Sequence, residues 1–126
     1  MHMKHIYSIV ILLFLVCLPS AGMDISVDSL NLLKTQADSA YANEDFEGAE
    51  CIYLQLAEQG ESAVVCYNLG CTYYRQDNIA KAVLWFERAA QLDPSDDDIR
   101  FNLAMARGKT IDRIIPRHEM FFVSAW

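Results

Sequence analysis

A histidine and a glutamate stand side by side at positions 118 and 119, a pairing that can pass a proton or share a metal ion. Nothing else in the chain joins them. There is no HExxH pair for zinc, no GxSxG nucleophile turn, no phosphate loop and no glycine-rich nucleotide fingerprint. His118 and Glu119 are therefore read as surface polarity. Past the leading segment the cysteines are Cys51, Cys66 and Cys71, with no CxxC among them. On a helix, Cys66 and Cys71 would lie roughly 140° apart, so they are poor disulfide partners for each other. A bridge from Cys51 to either stays open, and the favoured reading is that of small buried hydrophobes. The residues assemble no catalytic group, no metal ligand set and no cofactor site.

The chain has 126 residues, is 53% hydrophobic and 21% charged, and carries a formal charge of −7. That is a globular composition with an apolar surplus gathered at its two ends. Lys4 and two histidines precede a 13-residue apolar run over 6–18, which Pro19 breaks. Ser20, Ala21 and Gly22 then supply the small residues of a cleavage site. This is the pattern of a signal peptide over 1–22, and the run is short of the roughly 20 residues that span a bilayer. Phe14, Leu15 and Val16 lack the small residue that lipid attachment at Cys17 would require. Residues 1–22 hold Lys4 and no acid, so the mature chain would carry −8. An acidic domain excludes a basic nucleic-acid footprint. The functional reading of the acid is a cationic partner; the favoured one is a solvated surface.

The remaining chain matches itself at an offset of 33 or 34 residues. Ala37 to Tyr41 fall on Gly70 to Tyr74, and Phe46, Ala49 and Tyr53 fall on Ile79, Ala82 and Phe86. One period on, Tyr67 to Gly70 fall on Phe101 to Ala104. Two successive matches at one period mark a repeat array. Asp45, Asn78 and Ser95 stand as helix N-caps before periodic apolar runs. Gly60 suits the position after a helix, and Asp93–Pro94 stops the next one. Five helices are expected, over about 27–43, 46–59, 63–76, 79–92 and 96–110. Short connections make neighbours antiparallel hairpins. In the hairpin 63–92, Gly70 and Ala82 would supply the close crossing. Tyr73 and Phe86 would fill the wider gap, and Ala89 would seat the next hairpin.

These residues resemble the tetratricopeptide repeat (TPR) family. With Ala63 as position one, Leu69, Gly70, Tyr73, Ala82, Phe86, Ala89 and Pro94 stand where that family's pattern has them, and Cys66 replaces the usual tryptophan. The first repeat is a weaker copy, and the third unit supplies one helix. The resemblance implies an all-α fold of stacked antiparallel hairpins in a short right-handed solenoid of about 2.5 repeats. The TPR domain would cover 23–110, with repeats over 30–62 and 63–96 and a half repeat over 97–110.

The family's concave surface, carried over residue by residue, falls on Lys34, Asp38 and Tyr41, then Val64, Tyr67, Cys71, Tyr74 and Arg75, then Phe101 and Met105. Tyr67, Tyr74 and Arg75 are the aromatic and arginine kind of side chain that anchors a peptide. Lys34 and Asn68 fall on positions of the carboxylate clamp with which some members grip a peptide C-terminus. Asp38, Asp98 and Asn102 occupy the other clamp positions without matching them, and an acid at Asp98 would repel a carboxylate. No such clamp is expected.

The tail over 111–126 contains Pro116 and ends apolar and aromatic, as a chain does on entering a membrane span. A tail folded back on the open end of the array is the alternative. The signal-like start, the repeat run from YNLG to NLAMAR and the PRHEMFF segment together resemble the BatE family of the Bacteroides aerotolerance (Bat) operon. That resemblance implies an exported scaffold on the periplasmic face, anchored to the inner membrane through sequence beyond residue 126. Its partner would be a protein or peptide of the cell envelope, other Bat-type proteins included, with no nucleic acid and no enzymatic role. The alternatives are an oligomerisation or spacer element, and a docking arm of a larger protein.

Overall fold

The computed structural model describes residues 26–114. The signal-peptide reading, His118, Glu119 and the segment from Pro116 onward lie outside these. The described residues form five α-helices and no strand. They are α1 (Val27–Ala42), α2 (Phe46–Gln59), α3 (Ala63–Arg75), α4 (Ile79–Leu92) and α5 (Asp97–Ile114). Each packs on its chain neighbours, giving the hairpins α1–α2 and α3–α4 with α5 laid against α4. None of these helices is long and apolar enough to cross a membrane.

The period of 33 is visible in the backbone. Both hairpin turns place a non-glycine residue in the left-handed region, Glu44 at φ 62° and Asp77 at φ 63°. In the first turn the amides of Glu44 and Asp45 donate to the carbonyls of Tyr41 and Ala40; in the second those of Asp77 and Asn78 donate to Tyr74 and Tyr73. This pair of bonds is the Schellman closure, which satisfies carbonyls left over at a helix end. The next residue then caps the following helix: Asp45 accepts from the Gly48 amide and Asn78 from the Lys81 amide. Ser26 and Ser62 cap α1 and α3 in the same way.

The start of α5 differs from expectation. Asp96, not Ser95, caps α5: its carboxylate accepts from the amides of Asp98 and Ile99, while Ser95 donates to Asp93. A carboxylate that takes two orphan amides displaces the weaker hydroxyl cap. Gly60 follows α2 where expected, but in extended backbone at φ 164° with nothing within 4 Å of a Cβ there, so the position does not demand glycine. In addition, α5 runs to Ile114, four residues beyond the expected 110.

The core runs through the array as one layer, from Ala37, Ala49, Tyr53 and Leu56 through Cys66, Leu69, Tyr73, Ala82, Phe86 and Ala89 to Ile99, Leu103 and Ala106. Burying Leu69 or Phe86 contributes roughly 1.5–3 kcal/mol each. The close crossing in the second hairpin is made differently from expectation. A Cβ on Gly70 would lie 2.5 Å from the ring of Phe86, so the missing side chain makes room for an aromatic rather than for Ala82. The first hairpin has Ala37 and Tyr53 at these positions, both buried.

Where α3 buries Cys66 and Tyr73, the corresponding residues of α5 are Arg100 and Arg107, both exposed. Arg107 pairs with Glu87 of α4 at 2.9 Å. Among the described residues no buried side-chain nitrogen or oxygen lacks a partner; the buried Thr72 hydroxyl donates to the Asn68 carbonyl at 2.7 Å.

Candidate functional site

The first helix of each unit, α1, α3 and α5, lines one face of the array. Cross-links join these helices directly. The Asn102 amide donates to the Tyr67 hydroxyl at 3.1 Å, from α5 to α3. Lys109 on α5 places its ammonium 4.4 Å from the ring centre of Tyr74 on α3. Arg75, ending α3, reaches Glu44 at 3.3 Å just past α1 and lies 4.9 Å over the Phe46 ring.

Between α1 and α3 this face opens into a cleft of about 220 Å³ lined by Tyr41, Tyr53, Tyr67, Asn68 and Cys71. Three phenols, an amide and a thiol make a surface that is apolar in body and polar at its tips, suited to an amphipathic side chain. Burial pushes the hydroxyls of Tyr41 and Tyr53 above the ordinary phenol range. Tyr67 is pushed up to about 12, first by burial, then by Cys71 and by Asp98 and Asp96. Burial likewise raises the thiol of Cys71, which hydrogen-bonds Tyr67. At neutral pH the thiol is therefore protonated and a poor nucleophile.

Asp38 sits at the edge of this cleft. It accepts 2.6 Å bonds from both the Tyr53 hydroxyl and the Lys34 ammonium. Burial works to raise its pKa, but the two hydrogen bonds and the Lys34 charge together hold it below the usual carboxylate value. A second cleft, about 120 Å³, lies between α3 and α5 and is lined by Ala63, Val64, Tyr67, Ile99, Asp93, Asp96 and Asp98. Beside it Val64 and Phe101 are 54% and 68% exposed, large apolar side chains held in water.

Of the residues expected to line the groove, Tyr41, Tyr67 and Asn68 meet around the first cleft. Phe101 projects from α5, and Tyr74 lies under Lys109. Lys34 lines a separate opening of about 210 Å³ with Leu30, Asn31, Leu56 and Val65. Arg75 is engaged with Glu44 and Phe46 at the far rim. Cys66 and Cys71 both carry free thiols, so neither is bridged to Cys51. Sequence reasoning missed Tyr53 as a cleft residue because it matches the core residue Phe86. The signal was its hydroxyl, which a fully apolar position would not retain without a partner. Among the described residues no group of three or more His, Cys, Asp or Glu side chains is placed to hold a metal ion.

Residues 63–96, the span of α3 and α4, match the tetratricopeptide repeat family, whose repeats serve as protein–protein interaction modules. The helical-hairpin array described above is the fold of that family. The chain is also similar to intraflagellar transport protein 70A of Xenopus tropicalis, 31% identical over 85 residues, and to the same protein of Xenopus laevis at the same identity. Each match covers 67% of this chain and 13% of the relative, so the chain spans a small part of the length of these relatives.

Proposed function

We propose that this chain is a non-catalytic protein-binding module and that its partner lies across the α1–α3–α5 face. The observation that carries the reading is the continuity on that face of the tyrosine cleft with the exposed side chains of Val64 and Phe101. Large apolar groups held in water beside a polar-tipped cleft are what a partner's side chains would cover. Lys34 is neutralised by Asp38, and Asp98 is an acid, so the face does not grip a C-terminal carboxylate. No cofactor and no nucleic acid enter the proposal.

The setting we infer is the envelope of a bacterium, with the array exported to the periplasmic face and associated with the inner membrane. A Bat-type aerotolerance or stress-response assembly, in which other Bat-type proteins are the partners, is the specific form of that setting. It rests on the apolar run over 6–18 and on the BatE-like residues. A second reading, a docking arm of a larger protein, is favoured by one observation: the relatives extend far beyond the matched region. Self-association as a spacer is a third role the same fold permits.

The test is a quantitative pull-down from envelope extract with the full chain as bait. A Tyr67→Ala/Phe101→Ser variant and a Leu84→Ser variant on α4 serve as comparisons, each first shown to be helical by circular dichroism. Envelope proteins captured by the parent and the Leu84 variant but lost with the Tyr67/Phe101 variant would support the reading and name the pathway. Equal capture by all three would overturn it.

A further inference from the structure

The opening between α3 and α5 joins two features of opposite character. Its floor is the buried Ile99 and its flank the exposed Val64, with the exposed Phe101 two residues on from Ile99 along α5; its rim carries Asp93, Asp96 and Asp98. The ion pairs among the described residues use Asp38, Glu44, Asp77, Glu61, Glu87 and Asp97. None uses the three rim acids. Asp93 and Asp96 accept only uncharged donors, from Ser95, Asp98 and Ile99. The start of α5 offsets part of this charge, but a helix N-terminus supplies only about half a positive charge against three carboxylates.

The far end of the same face is the reverse. Its cations, Arg75, Lys109 and Arg113, are engaged with Glu44, Tyr74 and Asp77. Lys109 keeps its charge over the neutral Tyr74 ring, so among the described residues the face carries three unpaired rim acids against one unpaired lysine at its far end, and the acids stand beside its most exposed aromatic side chain. Resting on the proposed use of this face, we infer that its occupant is a peptide segment of a partner protein that carries arginine or lysine interleaved with large apolar residues. The cation meets the rim acids, and the apolar side chains cover Val64 and Phe101. The overall acidity of the chain, which a solvated surface would explain, acquires a local role at this end.

The test uses the full chain and three fluorescein-labelled decapeptides, read by anisotropy at low and at physiological salt. One alternates arginine with leucine and tryptophan, one replaces each arginine by glutamate, and one is all arginine. The mixed basic peptide is expected to bind tightest. Asp98→Lys should weaken it roughly two- to fivefold, on the scale of partly exposed charge pairs, and strengthen the glutamate peptide. Asp112→Lys makes the same charge change at an exposed site roughly 20 Å along α5 and should leave the preference intact. Equal binding of the all-arginine peptide would overturn the apolar half of the inference. Preference for the glutamate peptide, lost on Phe101→Ser, would overturn the inference while sparing the use of the face. Binding by none of the peptides, or binding indifferent to both Asp98→Lys and Phe101→Ser, would count against the face as well.

Discussion

The ring of Phe86 occupies the space that a side chain on residue 70 would need: a Cβ there would lie 2.5 Å from the ring, and Phe86 is 1% exposed. The ring has nowhere to retreat. Gly70→Ala should therefore destabilise the fold by roughly 1–3 kcal/mol through overpacking, more than the roughly 1 kcal/mol that alanine gains over glycine in a helix. Urea unfolding followed by circular dichroism checks this. Adding Phe86→Leu should recover part of the loss if the clash is with the ring.

The matched turns at Glu44 and Asp77 predict a gain. Both residues bear the cost of a left-handed backbone that glycine would relieve. Glu44→Gly should be more stable than Glu44→Ala by roughly 1 kcal/mol. Both variants lose the exposed Arg75 pair, so the difference isolates the backbone. Chemical denaturation midpoints of the two decide it.

The bonds from Lys34 and Tyr53 to Asp38 set a pH dependence. The folded pKa of Asp38 is lowered, so its contribution is present above the unfolded carboxylate range, near 3.9. It is lost as pH falls through the lower folded value. Asp38→Asn should therefore lower Tm at neutral pH, and the gap to the parent should close in acid. Scanning Tm against pH for both proteins tests it. A gap that stays constant down to the acid limit would contradict the assignment.

Tyr67 supplies the alkaline counterpart. Its folded pKa is raised to about 12, above the unfolded value near 10. The stability it adds is present below pH 10 and fades as pH rises through the folded value. Tyr41, Tyr53 and Tyr73 are raised as well, so ultraviolet titration should show one late-ionising phenol fewer in Tyr67→Phe than in the parent.

Much of the fold was legible because the repeat prints its period twice. Gly70, Ala82, Phe86 and Ala89 mark one hairpin, and their 33-residue echoes mark the other. What the sequence concealed was local competition. Ser95, Asp96, Asp97 and Asp98 all make good caps, and only the backbone path decides that Asp96 takes the two amides. Gly70 was paired with the small Ala82 by size, whereas the crossing seats it on Phe86. No glycine or proline stops α5 at 110, and the helix continues to Ile114. In the groove, Tyr41, Tyr67 and Asn68 followed from repeat position. The engagement of Arg75 with Glu44 did not, because pairs between long exposed side chains are worth about 0–1 kcal/mol and leave no spacing signature. Tyr53 was hidden by its double duty, with a buried ring and a hydroxyl at the cleft.

The most direct test of the central claim is photo-cross-linking in the native cell, with benzoylphenylalanine placed at Phe101 on the α1–α3–α5 face or at Leu84 on α4. Both positions are exposed, at 68% and 45%. The account predicts a discrete protein adduct from position 101 and none from position 84. Adducts from position 84 alone, or equally from both, would contradict it.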